Sequence, residues 1–341
     1  MQENEEERYS RQILLPQIGS KGQQQLLKSA VLVVGAGALG SVIAEVLVRS
    51  GVGSVRIVDR DIVEPSNLHR QILYDERDAA LRLPKAEAAE RKLKEINSTV
   101  RVEGIATNLL PRNVESLMNN VDLVLDGTDN LETRYVINDA CVKNGVPWVY
   151  GGAVGTGGML MGVVPDKGPC LRCLFPEPPS PGVLPTCETS GVLGTAPLVI
   201  GGLQATEAIK LLTGDTSTAG RLVRIDVWHK EPYFSADIPR DENCPCCSKK
   251  KFEFLSGQKT AWVTSLCGRN AVQMTPPEGK TIDVEQLQHK LAAVGDVHYN
   301  GLTLNFQAEG FEFIVFPDGR VMVKGTTEKE KAMTLIARYI G

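Results

Sequence analysis

The sequence predicts an α/β protein, with a Rossmann-like, doubly wound and mostly parallel sheet followed by a small α+β domain. An aliphatic run at residues 31–34 precedes glycines at G-x-G-x-x-G spacing, as in a buried parallel strand leading into a phosphate-binding turn. Strand-like and helix-like segments then alternate as far as Tyr150, which is the rhythm of βαβ units. Two later C-x-x-C pairs predict a structural zinc site within this domain.

Residues 31–59 form the predicted nucleotide-binding unit. Gly35 permits a tight turn, Gly37 lets phosphate approach the backbone, and Gly40 lets the following helix pack closely on the strand. The second strand ends at Asp59, where a carboxylate can accept hydrogen bonds from ribose hydroxyls. An isolated G-x-G-x-x-G would be weak evidence. Here strand, turn, helix, strand and terminal acid follow in the required order.

Residues that can bind phosphate follow this unit. They are Asn67, Arg70, Gln71 and Lys85, with Arg11 in the N-terminal arm. Arg70 and Lys85 could each be solvated surface charges, but the whole set could neutralise a triphosphate. A dehydrogenase needs fewer phosphate ligands, and no histidine or Tyr–Lys pair is arranged for hydride transfer. The pattern therefore favours a triphosphate ligand over a nicotinamide cofactor.

Asp126 and Asp129 flank a turn after a predicted strand at residues 121–126. A carboxylate in this position can hold Mg²⁺. The alternative is a helix N-cap, which would satisfy backbone N–H groups without any metal. Either aspartate could supply this ligand, and for Asp126 the N-cap alternative stays open.

The two C-x-x-C pairs lie in loop-like sequence. Each pair places two thiolates around one ion, and two pairs complete a closed tetrahedral site, which is typical of structural zinc. The predicted ligands are Cys170, Cys173, Cys244 and Cys247. Four reduced cysteines without metal are the alternative. A redox role is disfavoured because neither pair begins a helix after a strand, and Cys246 is expected not to bind the ion.

A further cysteine, Cys187, follows a proline-rich stretch and has no cysteine neighbour. A thiol on a loop is a candidate nucleophile, and an incidental surface cysteine is the alternative. Cys141 is expected in the core and Cys267 in a structural role.

Composition limits the classes of function. The chain has 341 residues, 42% hydrophobic and 23% charged, with a net charge of −4. This charge gives no electrostatic reason to expect nucleic acid or an anionic membrane as partner. The acidic N-terminus does not resemble a signal peptide, and eight cysteines in such a chain suggest metal or chemistry in a reducing compartment. We therefore expect a cytoplasmic protein.

We predict three regions: an N-terminal helical arm at residues 1–30, an ATP-binding domain at 31–248, and a small α+β domain at 256–341. The second region includes the predicted zinc site and a crossover loop at 174–190. Helices are expected at residues 4–15, 22–30 and 201–212, and a long surface loop at 165–186.

Several motifs occur in an order that resembles one family. They are R-Y-S-R-Q at 8–12, G-A-G-A-L-G at 35–40, D-R-D-I-V-E-P-S-N-L-H-R-Q at 59–71, P-K-A at 84–86, D-G-T-D-N at 126–130, L-Q-A-T-E-A-I-K at 203–210, and both cysteine pairs. Together they resemble the ThiF/MoeB-like adenylyltransferases, which are related to ubiquitin-activating enzymes. The resemblance ends near Cys247. The later residues do not resemble the rhodanese domain of some relatives, and we assign them no role.

The resemblance implies a reaction. Such enzymes use Mg-ATP to adenylate the C-terminal Gly-Gly carboxylate of a small ubiquitin-like sulfur carrier and release pyrophosphate. By motif position, Asp59 would bind ribose, Asn67, Arg70 and Lys85 the phosphates, and Asp129 Mg²⁺. Arg11 would reach the triphosphate from the other subunit of a homodimer. Cys187 matches a loop cysteine that can be linked to the carrier during sulfur transfer, so a cysteine-desulfurase-type sulfur donor is a possible partner.

Other interpretations stay open. The carrier could serve thiamin synthesis, molybdopterin synthesis or both. The activated carboxylate could instead lie on modified tRNA, as in cyclic-adenosine-forming dehydratases. A carrier-binding scaffold with a degenerate nucleotide site is a non-enzymatic alternative, disfavoured because every expected phosphate ligand is present.

Overall fold

The computed structural model describes residues 3–179, 187–229, 234–257, 263–266, 270–274 and 281–340. The side chains of residues 3–5, 187, 188 and 263–266 lie outside this description, as do Trp262 and Cys267. The chain divides into two compact units. The first comprises Met1–Ala80 and Lys85–Lys259, and the second comprises Leu81–Pro84 and Thr260–Gly341.

The first unit is built on one sheet of eight described strands in the order β3-β2-β1-β4-β5-β6-β7-β8. Strands β1 to β5 are mutually parallel, and β6, β7 and β8 continue the sheet antiparallel. The strands are β1 Ala30–Val34, β2 Ser54–Val58, β3 Arg101–Ile105, β4 Leu123–Asp126, β5 Trp148–Val154, β6 Gly157–Val163, β7 Arg221–Asp226 and β8 Phe234–Asp237.

Helices accompany this sheet. They are α1 Glu3–Arg8, α2 Ser10–Ile13, α3 Gly19–Lys28, α4 Ala38–Arg49, α5 Glu76–Ala80, α6 Lys85–Ile96, α7 Val114–Leu117, α8 Leu131–Asn144, α9 Leu171–Leu174, α10 Cys187–Ser190 and α11 Thr195–Leu212. Helix α4 packs against α11, where a Cβ atom on Gly201 would lie 2.9 Å from Val42 Cβ.

The strand order has a topological switch point at β1. The chain runs from β1 through β2 to β3 on one side, and then returns to β4 and β5 on the other. In open α/β sheets of this kind, ligands bind at the carboxyl ends of the strands beside the switch point. The turns after β1, β2 and β4 therefore border the expected binding crevice. This arrangement confirms the predicted doubly wound, mostly parallel fold.

Several predicted boundaries differ from the structure. The helix expected at 4–15 is divided at Tyr9, whose buried ring packs against Gly51 and whose hydroxyl accepts a hydrogen bond from Asn97. The helix expected at 22–30 is Gly19–Lys28, because Ala30 already belongs to β1. Helix α11 begins at Thr195, before residue 201. The expected surface loop at 165–186 contains the short helix α9, for which Cys170 is the N-cap and in which Cys173 lies.

The core on the α8 side of the sheet joins distant parts of the chain. Trp148 and Tyr135 are buried there, and the Tyr135 ring lies 4.7 Å from that of Phe254. Asp139 on α8 accepts hydrogen bonds from the backbone N–H groups of Phe254, at 2.9 Å, and Leu255, at 3.3 Å. The turn that follows residue 251 therefore belongs to the packing of this unit. Cys141 is buried in the same core, as predicted.

The second unit is a small α+β fold, as predicted. Its described strands form an antiparallel sheet in the order β11-β12-β13-β14-β10-β9. Phe306 and Phe313 lie at the centre of its core, with ring centroids 5.4 Å apart. The elements are β9 Val263–Leu266, β10 Ala271–Met274, α12 Val284–Leu291, β11 Asp296–Tyr299, β12 Leu304–Ala308, β13 Phe311–Val315, β14 Val321–Lys324 and α13 Lys329–Tyr339.

Within the described residues, no helix combines the length and the apolar character needed to cross a membrane.

Candidate active site

The glycine turn after β1 packs directly against the turn after β4. Gly35 has φ +86°, and a Cβ atom there would lie 2.7 Å from the Gly127 carbonyl oxygen. A Cβ atom on Gly40 would lie 1.8 Å from the Gly35 carbonyl oxygen. Only glycine fits at these contacts. By contrast, a Cβ atom on Gly37 would make only ordinary contacts, with Gln71 Nε2 at 3.8 Å and the Gly127 carbonyl oxygen at 4.0 Å, so the turn is less crowded at Gly37.

Asp59, which follows β2, is tied to this turn. One carboxylate oxygen accepts a 2.6 Å hydrogen bond from the Ala36 N–H group, and the other accepts a 2.7 Å bond from the Asp61 N–H group. Burial raises the pKa of Asp59, and the nearby positive charge of Lys85 partly offsets that rise. The carboxylate is thus held in a fixed orientation at the carboxyl end of β2.

Lys85 begins α6 at the same edge of the sheet. Its side chain is only 2% exposed, and Nζ lies 3.4 Å from Asp61 Oδ2. Its backbone is fixed as well, because its N–H group donates a 2.8 Å hydrogen bond to the Asp61 carbonyl oxygen. A buried ammonium is costly unless it is paired. Lys85 is therefore a positioned cation in the site, and the surface-charge alternative is wrong.

Tyr74 connects the glycine turn with the start of α6, and its role was not identified from the sequence. Its hydroxyl lies 2.8 Å from the Ala36 carbonyl oxygen and 3.1 Å from that of Lys85, so the glycine turn and the start of α6 share one donor. Burial raises the pKa of Tyr74 well above its ordinary value, so the hydroxyl keeps its proton. The only sequence signal was an aromatic residue between the two predicted phosphate-binding segments.

The segment after β2 supplies three predicted phosphate ligands. Asn67 is buried, and its Oδ1 accepts a 3.1 Å hydrogen bond from the Glu64 N–H group. Arg70 is half-buried and donates a 2.7 Å hydrogen bond to the Ser66 carbonyl oxygen. Gln71 is buried with its Oε1 accepting no hydrogen bond from the described residues, and its Nε2 is the group nearest to Gly37. A buried acceptor without a donor among the described residues, beside the glycine turn, fits a position at which a polar ligand binds.

The two aspartates after β4 have different surroundings. Asp126 is completely buried and accepts from the Thr128 N–H and hydroxyl groups and from Arg134 Nε, at 2.7–2.9 Å. Burial raises its pKa, and Arg134 opposes the rise. Asp129 is exposed in the turn before α8. Asn130, not Asp126, is the helix N-cap, since its side chain accepts from the Glu132 N–H group. Asp126 therefore holds the turn, and Asp129 faces solvent.

Arg11 is not brought to the glycine turn of its own chain. It is exposed on α2, and its neighbour Gln12 donates a 3.1 Å hydrogen bond to the Ser50 carbonyl oxygen, just beyond the end of α4. The glycine turn adjoins the opposite end of this twelve-residue helix, roughly 18 Å away at 1.5 Å per residue.

The four predicted zinc ligands form one cluster. The Sγ atoms of Cys170, Cys173, Cys244 and Cys247 all lie within 4.8 Å of one another. Hydrogen bonds from Cys170 and Cys173 lower the pKa of the Cys244 thiol to about 6. A group of four cysteine sulfurs in closed, mostly buried surroundings is the donor set of structural zinc. The cluster is compatible with that ion.

Cys246 lies outside this cluster, as expected. It is completely buried, and its sulfur accepts a 3.2 Å hydrogen bond from Asn138 Nδ2 on α8. Asn138 Oδ1 in turn accepts a 2.9 Å bond from the Leu171 N–H group. The cysteine region is thereby attached to α8. Cys187 is the first residue of α10, and its side chain lies outside the described residues, so its predicted role is untested.

The protein is an adenylyltransferase, a class shown by the family model and by the relatives described below. The model of the ThiF family matches residues 9–246. The chain belongs to the ThiF family.

Curated relatives agree with this class. The chain is 41% identical over 337 residues to the "Sulfur carrier protein ThiS adenylyltransferase" of Bacillus subtilis, covering 98% of this chain and 99% of that protein. It is 42% identical over 247 residues to the "Sulfur carrier protein adenylyltransferase" of Thermus thermophilus, covering 71% and 90%. It is also 42% identical over 247 residues to "Adenylyltransferase and sulfurtransferase MOCS3" of Aedes aegypti, covering 72% and 56%.

Solved structures support the fold. The chain is similar to Escherichia coli MccB bound to ATP, with a TM-score of 0.57 and 23% identity, over 67% of this chain and 68% of that one. For the MccB complex with N-formylated MccA the TM-score is 0.61, again at 23% identity, over 72% and 76%. At this identity the similarity concerns the fold alone.

Proposed function

We propose that the protein uses Mg-ATP to adenylate the C-terminal Gly-Gly carboxylate of a small ubiquitin-like sulfur carrier. The observation that carries this proposal is the buried Lys85 ammonium near the glycine turn, to which Tyr74 links it, with Asp59 at the end of the adjacent strand. A fixed cation, an approachable backbone turn and an oriented acid together suit a nucleotide triphosphate. The ThiS adenylyltransferase relative matches almost the entire chain, which supports a carrier of the ThiS type.

The proposed reaction needs little acid–base chemistry from the protein. A carrier carboxylate oxygen attacks the α-phosphorus of ATP, and the bond from that phosphorus to the oxygen bridging to the β-phosphorus breaks. Pyrophosphate leaves with that electron pair, and acyl-adenylate remains. Because the carboxylate is already ionised at neutral pH, no general base is required. Catalysis then depends on positioning and on neutralising the negative charge of the phosphates.

The site residues fit these tasks. Asp59 would accept hydrogen bonds from the ribose hydroxyls, and Lys85, Arg70, Asn67 and Gln71 would contact the phosphates. Gln71 qualifies because its amide adjoins Gly37. These contacts would hold the triphosphate across the carboxyl ends of β1 and β2.

Asp129 would hold Mg²⁺, which would neutralise phosphate charge. Its exposed position in the turn after β4 suits this role, whereas Asp126 is completely buried. Arg11 would act on the triphosphate of the second subunit in a homodimer, because within its own chain it lies at the far end of α4.

Zinc on the four-cysteine cluster would be structural. Cys187 would carry out the later sulfur transfer, with sulfur from a cysteine-desulfurase-type donor. We favour thiamin synthesis because the relative named for ThiS spans the whole chain, whereas the chain spans about half the length of the MOCS3 relative.

ATP–pyrophosphate exchange tests this proposal. Purified protein is assayed with a ThiS-type carrier, a molybdopterin-type carrier, and each carrier shortened by its last two glycines. Exchange that needs an intact ThiS-type carrier is the expected result, and exchange with both intact carriers would indicate a shared activator. ATP binding without exchange on either carrier would contradict the proposal and direct attention to a carboxylate on tRNA.

A further inference from the structure

A second group of polar side chains lies on the other side of the glycine turn, towards β4 and β5. The proposed nucleotide ligands Asp59 and Lys85 follow β2, whereas Arg134 belongs to α8 and Tyr150 to β5. The sheet order places β2 on one side of β1, and β4 and β5 on the other. The nucleotide contacts proposed above give Arg134 and Tyr150 no task.

Arg134 is fixed by the turn after β4. Its Nε donates a 2.9 Å hydrogen bond to Asp126 Oδ2, and its Nη2 donates a 2.7 Å bond to the Thr128 carbonyl oxygen. Thr128 adjoins the glycine turn, because a Cβ atom on Gly35 would lie 3.0 Å from its backbone nitrogen. Nη1 has no hydrogen-bond partner among the described residues, and 11% of the Arg134 side chain is exposed. The oriented guanidinium therefore has N–H groups left for a ligand.

The ring of Tyr150 is held by its neighbours, whereas its hydroxyl is not. The ring meets those of Trp148 and Phe175 edge-on, with centroids 6.4 and 6.2 Å away, and the Arg134 guanidinium carbon lies 5.4 Å from its centroid. Within the described part of the chain, the hydroxyl forms no hydrogen bond. Burial raises the pKa of Tyr150 and the charge of Arg134 opposes this rise only in part, so the hydroxyl keeps its proton. A buried tyrosine hydroxyl usually has a partner, and here a ligand can supply it.

Gly152 on β5 leaves space beside both groups. A Cβ atom there would lie 3.5 Å from Arg134 Nη2, 3.5 Å from the Tyr150 hydroxyl oxygen and 3.8 Å from Arg134 Nη1. These three atoms are the nearest to that Cβ position. A guanidinium and a hydroxyl donor around one position provide the hydrogen bonds that an anionic oxygen accepts. The absent side chain of Gly152 thus leaves room for an anion.

The geometry of the reaction favours a carboxylate as this anion. In phosphoryl and nucleotidyl transfer, the attacking and leaving oxygens lie roughly in line on opposite sides of the phosphorus. With pyrophosphate leaving on the Lys85 side of the glycine turn, the nucleophile approaches from the side of β4 and β5. A tail that ends in two glycines has no side chains there, so it can lie close to the strand at Gly152.

We propose that Arg134 and Tyr150 are catalytic residues that bind the C-terminal carboxylate of the carrier beside Gly152. This inference rests on the proposed function, because it gives the second substrate of that reaction its binding site. The guanidinium and the hydroxyl donate hydrogen bonds to one carboxylate oxygen. The other oxygen is then left to attack the α-phosphorus. Orientation of the two reactants in this way can lower the barrier without any proton transfer.

The kinetic test uses Tyr150→Phe, which removes only the hydroxyl, and Gly152→Ala, which fills the space. The control is Gly202→Ala on α11, where a Cβ atom would meet nothing within 4 Å. In ATP–pyrophosphate exchange, we expect kcat/KM for the carrier to fall about ten-fold in both test variants, with the Kd for ATP unchanged. Exchange within two-fold of wild type in both would overturn the proposal. Weaker ATP binding with an unchanged carrier dependence would overturn it in favour of a phosphate site.

A second measurement does not depend on activity. Isothermal titration calorimetry compares a ThiS-type carrier that has a free C-terminal carboxylate with the same carrier ending in a carboxamide. The amide should bind about ten-fold more weakly to wild type and to Gly202→Ala, and Tyr150→Phe should show a clearly smaller difference. An equal difference in Tyr150→Phe would overturn the proposal. If wild-type protein shows no pyrophosphate exchange, the proposed function fails, and this comparison still decides whether the carboxylate binds at Tyr150.

Discussion

Lys85 Nζ lies 3.4 Å from Asp61 Oδ2, and almost none of the lysine side chain is exposed. The pair lies at the carboxyl ends of β1 and β2, beside the glycine turn. A cation enclosed in this way cannot simply turn towards water, so it is available to a ligand that enters the crevice.

Replacing Lys85 by alanine should affect activity and stability together. We expect pyrophosphate exchange to fall by about 100-fold, because one charge that stabilises the phosphates is lost. The free energy of unfolding should fall by about 3 kcal/mol, because Asp61 loses its buried partner. Urea unfolding measures this loss. Lys94→Ala, which removes an exposed pair on the same helix, should change stability by less than about 0.5 kcal/mol. Equal effects of both variants would contradict the proposed role.

Substitution of the two aspartates after β4 should have different effects, a loss of activity at Asp129 and a loss of stability at Asp126. Asp129→Ala should lower exchange by about 100-fold and leave the thermal unfolding temperature nearly unchanged, because the side chain is exposed. Asp126→Ala should lower the free energy of unfolding by about 3 kcal/mol, because it leaves the buried Arg134 guanidinium without its carboxylate. Magnesium-dependent exchange that survives in Asp129→Ala would place the metal elsewhere.

The cysteine cluster predicts about one zinc ion per chain. Metal analysis by mass spectrometry should find this content in wild-type protein and a loss of zinc in Cys244→Ser, with a lower unfolding temperature. Cys246→Ser is the matched control, because Cys246 lies next to Cys247 in the sequence but its sulfur accepts a hydrogen bond from Asn138 outside the cluster. Zinc lost equally from both variants would show that the ligand set is wrong.

Asp139 gives a pH-dependent prediction. Burial raises its pKa above the ordinary value, so the folded protein binds a proton that the unfolded chain has released. The free energy of unfolding therefore falls as the pH rises from about 3.8 to the raised pKa of Asp139 in the folded protein. Asp139→Asn removes that charge. The free energy of unfolding of the variant minus that of wild type should therefore increase across this pH range and then stay constant. Urea unfolding between pH 4 and 7 measures the difference, and a constant difference would contradict the prediction.

Cys187→Ala should leave adenylation intact and impair the later transfer of sulfur. Pyrophosphate exchange should stay within about two-fold of wild type, because adenylation breaks and forms bonds only at phosphorus. Transfer of sulfur to the carrier should fall, as measured by mass spectrometry of the carrier C-terminus. If exchange disappears in this variant, the thiol acts in adenylation and the assignment is wrong.

Local patterns revealed much of the fold and of the site. The glycine spacing, Asp59 and the cysteine pairs are identifiable because each depends on residues close together in sequence. The same is true of β1, whose buried run is continuous.

Long-range contacts were not predictable in this way. Tyr74 gained its role only when folding brought Ala36 and Lys85 to the same hydroxyl. Arg82 has a φ angle of +50°, and this left-handed conformation has no local signal, since arginine does not favour positive φ. The divided N-terminal helix has a similar origin, because the packing of Tyr9 against Gly51 involves residues far apart in sequence.

The division of the second unit between two chain segments has a consequence for biosynthesis. Ribosomes deliver the chain from its N-terminus, and domains generally fold as they emerge. Leu81–Pro84 is made early, yet Asn300, Asn305 and Glu312, which contact Leu81 and Arg82, follow more than two hundred residues later. A nascent or truncated chain that ends before β12 therefore leaves this segment without these partners. Only synthesis of the last quarter of the protein lets the early segment join the unit to which it belongs.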